Sequence, residues 1–141
     1  MFTWEVDGRK RHALVDVLGL LSVVVVHAAD IQDRDGARQV FAELLGWRLP
    51  RLQAVLADGI YNGDIGPWPR RTLGLQLHVV ERPVGTQGFT VVPRRWVVER
   101  TFAWMGRCRR LAKSYERFPV GSVGFTYISM ISLMLHRLSR V

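Results

Sequence analysis

Leu52-Gln53-Ala54-Val55-Leu56-Ala57-Asp58-Gly59 is a short apolar run stopped by an aspartate with a flexible residue behind it. A run this short, closed by a turn-forming pair, suits a β-strand. It predicts a sheet that presents the Asp58 carboxylate where a strand ends. The sequence upstream predicts two more strands, near 11–17 and 20–27, joined by a hairpin around Val17 to Gly19. The β-branched run Val23 to Val26 suits a strand covered on both faces. Between these and the Asp58 strand, Ala37, Val40, Phe41, Leu44 and Leu45 recur at helical spacing. This is the clearest helix in the chain, with Asp33 as its expected N-cap, Asp35 in its first turn and Gly46 closing it.

Downstream, residues 63–68 are rich in Pro and Gly, Pro69 to Leu73 fits a short helix, and Leu75 to Val80 alternates as a further strand. Pro83 to Pro93 reads as a linker. A helix is expected from Arg94 to Leu111, with Pro93 at its start and Val98, Phe102 and Met105 on one side. The last helix, Ser122 to Arg140, is apolar nearly all round, which predicts burial in a larger body. Phe2, Trp4 and Val6 alternate as the stub of one more strand.

The chain has 141 residues, one domain's worth, so residues 1–141 are expected to form a single α/β domain. Hydrophobic residues make up 48% and charged residues 23%, which excludes wholesale disorder and allows a sizeable core. A lone cysteine, Cys108, excludes an internal disulfide and a thiolate zinc cluster and suits reducing, cytoplasmic surroundings. The first residues lack a signal-peptide pattern, and the apolar run Val17 to Val26 is too short to cross a bilayer, so no membrane role is expected.

Net charge is +8, and its distribution is uneven. Residues 1–70 carry eight Lys and Arg against nine Asp and Glu, whereas residues 71–141 carry twelve against three. A basic second half with Trp and Phe among its arginines points to a polyanion partner, nucleic acid foremost. Because 18 of the 20 basic residues are Arg, a purely compositional origin, with no nucleic-acid role, is the alternative.

Arg95 and Glu99 stand four apart, so a helix places them on one face, beside Trp96 and among Arg94, Arg100, Arg107, Arg109, Arg110 and Lys113. They are either a simple surface ion pair worth about 0.3–0.5 kcal/mol or a metal-ligating carboxylate among phosphate-positioning arginines. His27 reads as a satisfied buried polar group, and His12 beside Arg11 as a phosphate contact. Cys108 is either packing or a thiol made acidic by Arg107 and Arg109. Trp96 and Trp104 are either core residues or platforms for a flipped base.

Gly8-Arg9-Lys10-Arg11-His12, Leu14-Val15-Asp16, Leu18-Gly19-Leu20, Val25-Val26-His27-Ala28-Ala29-Asp30, Ala57-Asp58-Gly59-Ile60-Tyr61 and Arg94-Arg95-Trp96-Val97-Val98-Glu99-Arg100-Thr101-Phe102 follow one another in order. Arg109-Arg110-Leu111-Ala112-Lys113 and Tyr115-Glu116-Arg117 come after them. From about residue 8 onward this series resembles the DDE transposases of bacterial insertion sequences. The resemblance implies a ribonuclease H-like mixed sheet with flanking helices, and three acids holding two Mg²⁺ or Mn²⁺ ions for cleavage and strand transfer of DNA. Asp58 matches the second acid and Glu99 the third. Arg95, Arg107, Arg109, Arg110, Lys113, Arg9, Lys10 and Arg11 are the expected DNA contacts.

The first acid, on a strand upstream of Gly8, has no match. Asp7 falls out of register, and Asp16 occupies a position of non-catalytic role. Two further departures are Val92, where many relatives carry Tyr, and Gly106, where Lys is usual, with Arg107 adjacent. The expected protein is therefore a transposase catalytic domain incomplete at its N-terminus, its central strand missing and its core gapped. It acts on transposon ends and target DNA, with a homo-oligomer possible. The alternative is a catalytically inactive remnant that binds DNA or joins a multimer.

Overall fold

A computed structural model of the chain describes residues 1–47, 49–58, 68–80 and 95–139, with Trp4, Val6, Asp58, Trp68 and Arg95 described by their backbone alone. Strand β1 (Phe2–Val6) turns through Asp7 and Gly8 into β2 (Arg9–Val15), and β2 turns into β3 (Leu21–Ala28). Asp7 and Gly8 both have positive φ, 47° and 74°. An Asp-Gly pair in this conformation closes a two-residue hairpin whose twist matches its strands. The three strands form one antiparallel sheet in the order β1-β2-β3, with Val6 opposite Arg9 and Phe2 opposite Ala13. The expected stub is thus a strand paired along its length, and no gap opens beside β2.

Helix α1 (Asp33–Gly46) follows, then β4 (Ala54–Asp58), α2 (Trp68–Leu73) and β5 (Gln76–Val80). β4 and β5 pair in parallel, Ala54 opposite Gln76 and Asp58 opposite Val80. The N-terminal ammonium of Met1 donates to the Leu56 carbonyl, so β1 abuts β4 and the two sheets meet there. Helices α3 (Arg95–Gly106) and α4 (Pro119–Leu138) complete the chain.

Period-two alternation in β2 and β3 feeds two cores. On one face, Leu14 and Val23 pack with Ala37, Val40, Phe41 and Leu44 of α1 and with Val55 and Ala57 of β4. On the other, Ala13, Val24 and Val26 pack with Phe2, Met105, Leu111 and Met130, supported by Val98 and Phe102. Fully burying one such aliphatic or aromatic side chain contributes about 1.5–3 kcal/mol, so the three-stranded sheet is held from both sides. At its outer edge the Val24 N–H donates to Tyr127 Oη, at 3.3 Å, and the Tyr127 ring stacks on Trp47. Together these blunt an edge that would otherwise offer an unpaired ladder.

Several expectations change. Gln32, not Asp33, is the N-cap of α1 and makes no side-chain cap bond; Asp33 is the first helical residue and pairs with Lys10 at 3.3 Å. The ammonium draws the carboxylate to itself. Helix α3 ends at Gly106 rather than Leu111, so Arg107, Arg109, Arg110 and Lys113 lie in the turns that follow it. Helix α4 is buried only at Ser122, Thr126 and Met130, because one side alone meets the sheet. At 20 residues it is also long and apolar enough to cross a membrane, a candidate that the expectation of no span overlooked. The linker from Pro83 to Pro93 lies outside the described residues.

Candidate active site

Asp58 is the last residue of β4, brought there by alternation: Val55 and Ala57 face the α1 core and are nearly fully buried. Its neighbour across the parallel ladder is Val80. Glu99 lies on α3, on the solvent side of a helix whose Val98, Phe102 and Met105 enter the opposite core. Two contacts fix α3 against the β2–β3 turn. The buried Thr101 hydroxyl bonds the Gly19 carbonyl at 2.8 Å and its own Val97 carbonyl at 3.0 Å. Arg100 reaches over to the Leu18 carbonyl at 2.8 Å. Gly19, with φ +79°, permits this approach: a Cβ there would lie 2.7 Å from Thr101 Oγ1.

The two matched acids therefore sit on elements rooted in different cores, β4 on the α1 side and α3 on the other. Among the described residues no group of three or more His, Cys, Asp or Glu side chains converges as a metal cage. The two aspartates flanking β2, Asp7 and Asp16, both accept from backbone N–H groups. Asp7 Oδ2 accepts from the Ser114 N–H at 3.0 Å. Asp16 Oδ1 accepts from Leu18 and Leu20 N–H, each at 2.8 Å.

Alternation along Arg9-Lys10-Arg11-His12 sends these residues to opposite sides of the sheet. Arg9 donates to the Arg117 carbonyl at 2.7 Å and to Ser122 Oγ at 3.4 Å. Arg11, only 1% exposed, donates to the Leu111 carbonyl at 3.3 Å. On the other side Lys10 bonds the Ile31 carbonyl and Asp33. His12 is fully buried beside Thr3, with Nδ1 2.7 Å from Thr3 Oγ1. Arg11 and His12 are thus interior residues with no face toward solvent, which leaves neither able to reach a phosphate from this conformation.

His12 stacks on His27 with ring centroids 4.6 Å apart. Burial, then the neighbouring His27, hold the His12 imidazole down to about 4 against a partial opposing pull from Asp33. His27 bonds the Ala28 carbonyl through Nδ1, but its buried Nε2 lacks a hydrogen-bond partner, so it is only half satisfied. Gly36 of α1 lies against both rings: a Cβ there would fall 2.2 Å from His12 Nε2 and 2.6 Å from His27 Nε2. Sequence reading missed this pair; one-face alternation on adjacent strands, His12 opposite Val25 and Lys10 opposite His27, is the signal that could have found it.

The exposed cations gather after α3. Arg107, Arg109 and Lys113 are exposed, and Arg109, Arg110 and Tyr115 line a cavity of about 360 Å³. Arg110 pairs with Glu116 at 2.8 Å and lies over the Phe125 ring. Trp96 and Trp104 carry Arg100 over their rings, at 4.5 and 4.9 Å, and Arg137 covers Trp104 at 4.1 Å. The Cys108 thiol is lowered chiefly by the Ser129 hydroxyl, 3.1 Å from its sulfur, and further by the Arg110 and Leu111 N–H groups. Hydrogen bonds, rather than the flanking guanidinium charges, set its acidity.

The transposase DDE domain family matches residues 5–135. The chain belongs to that family. A putative transposase for insertion sequence element IS402 from Burkholderia cepacia is 29% identical over 116 residues, covering 78% of this chain and 54% of that protein. The DDE domain thus spans about half the length of the curated relative it matches. No solved structure matches it. Within the transposase match lie β2 and β3, β4 with Asp58, α3 with Glu99 and most of α4.

Proposed function

We propose that this chain carries chemistry of an insertion-sequence transposase, cleaving and joining DNA on a ribonuclease H-like sheet. The observation that supports it best is the seam between β1 and β4. β1 pairs with β2 on one side and meets β4 through Met1 and Leu56 on the other. If the two sheets continue one another across this seam, their order is β3-β2-β1-β4-β5, with the first strand central and Asp58 at the carboxyl end of the strand beside it. Ligand-binding groups of open α/β sheets collect at the carboxyl ends of parallel strands.

Carboxylate oxygens are the hard donors that Mg²⁺ or Mn²⁺ prefers, so Asp58 and Glu99 suit such an ion by donor chemistry. When bound, paired ions stabilise the attacking and leaving oxygens of a phosphodiester displacement. Asp58 and Glu99 would hold the metal. Arg95, Arg107, Arg109 and Lys113 would position DNA phosphates, releasing counterions as they bind. Arg9, Lys10 and Arg11 instead tie β2 to the rest of the fold.

A second reading, a catalytically silent DNA-binding or multimer-joining protein, is favoured by the engagement of Asp7 and Asp16 in backbone bonds. Incubating the protein with DNA carrying its element's terminal repeats, with Mg²⁺ or Mn²⁺, separates the two. Nicking or strand transfer lost in Asp58→Ala and Glu99→Ala supports the enzyme. Salt-sensitive binding without nicking supports the silent protein, and flat, negligible binding at low salt overturns both.

A further inference from the structure

The side of α4 that turns away from the sheet carries Ile128, Ile131, Leu135 and Leu138, between 53% and 71% exposed. Their spacing of three, four and three residues is that of a coiled-coil seam. It lies opposite Ser122, Thr126 and Met130, the buried residues of the same helix. Gly124 extends the seam toward the helix N-terminus, and a Cβ there would meet nothing within 4 Å, whereas at Gly121 a Cβ would lie 3.1 Å from Glu116 Oε2.

We infer that this face is a self-association surface, joined antiparallel to α4 of a second copy about a two-fold axis between Ile128 and Ile131. The occupant follows from side-chain size. Antiparallel pairing sets Ile128 against the partner's Ile131 and Leu135 against the partner's Gly124, while Leu138 reaches the partner's Gly121 where the Glu116 side chain covers it. The isoleucines meet each other at the axis, and on either side of it Leu135 meets the open glycine, Gly124. A closed two-fold contact needs one patch that complements itself, and this one does.

Area points the same way. Four aliphatic side chains more than half exposed present roughly 400 Å² of apolar surface per copy, enough to mark an interaction site. That is about the apolar share of a standard interface burying ~800 Å² per partner. A bilayer is the poorer occupant, because the opposite side of α4 is packed on the sheet and Tyr127 is bonded to Val24. Crossing a membrane would strip the helix from its core.

Sedimentation equilibrium of the whole chain at tens of micromolar, free of DNA and metal, should show a dimer. Ile131→Glu should raise the dissociation constant on the order of tenfold or more. Gly124→Leu, whose Cβ meets nothing within 4 Å in the monomer, should weaken the dimer by a similar factor, and adding Leu135→Ala should restore most of it. Only leucine-over-glycine pairing gives that rescue. Circular dichroism of each variant confirms folding, and a variant that unfolds is replaced by Ile128→Ser. A monomeric wild type, a dimer indifferent to Ile131→Glu and Gly124→Leu, or a monomer that binds phosphatidylcholine vesicles through this face overturns the inference.

Discussion

The Thr101 hydroxyl is bonded to the Gly19 carbonyl at 2.8 Å, with a separation so short that a single methyl group on Gly19 would collide with it. This contact joins the glutamate-bearing helix to the sheet. Gly19→Ala is expected to lose on two counts, the φ of +79° and the 2.7 Å approach. Together they should cost roughly 2–4 kcal/mol, read as a lower urea midpoint at unchanged slope. A shift below about 0.5 kcal/mol, the size of a neutral surface change, would mean that α3 is not seated there.

Stability should fall in acid through His12. Its folded value near 4 lies below the ordinary 6.5, so the native state keeps the ring neutral while the unfolded chain takes up a proton. The contribution is whole above pH 6.5 and drains away as pH drops toward 4, in all about 3 kcal/mol. Denaturation between pH 4 and 7 measures it, with His12→Gln expected to flatten the slope. An unchanged slope in that variant would assign the acid sensitivity elsewhere.

Gly36→Ala should be more damaging than most exposed-helix substitutions, although alanine favours helix. The new methyl would overlap both stacked imidazoles, at 2.2 and 2.6 Å. A loss of roughly 1–3 kcal/mol is expected from overpacking, against a gain of about 1 kcal/mol in propensity. A stabilised variant, or one with unchanged melting, would show that the rings yield freely.

The basic residues should divide by role. Arg109→Ala and Lys113→Ala should each lower the slope of log binding constant against log salt by about 1, with little change in stability. Arg11→Ala should destabilise the fold by about 1–3 kcal/mol, having lost a buried charged donor, and leave the salt slope of the folded fraction as it was. Equal salt-slope losses in all three variants would return Arg11 to the DNA surface.

Ser129→Ala should raise the Cys108 thiol back toward its ordinary value, since that hydroxyl is the largest influence lowering it. The pH profile of iodoacetamide labelling would move upward in the variant. A profile that stays in place, but moves when Arg107 or Arg109 is neutralised, would make guanidinium charge the cause.

Much of this architecture could be read from periodicity. The expected helix at Ala37 to Leu45, the strands around Val23 and Val55, and the helix carrying Val98, Phe102 and Met105 all form, because one buried face fixes each spacing. Less visible were features that depend on partners distant in the chain. Asp33 gave up its cap position to pair with Lys10. Apolar content in α4 suggested burial all round, yet hydrophobicity alone does not say how many sides of a helix find a neighbour. Asp58 and Glu99 could be proposed as ligands only through family resemblance, since nothing local distinguishes a ligand from any strand-end aspartate or helical glutamate.

Among the features of β2, the split of Arg9, Lys10, Arg11 and His12 between its two sides has a consequence for assembly of the chain. A slip of β2 by one residue against its neighbours would drive two arginines toward the imidazole pocket and strand a lysine in oil. Four polar side chains therefore work as the teeth of a key, admitting one alignment of the central hairpins and rejecting the rest.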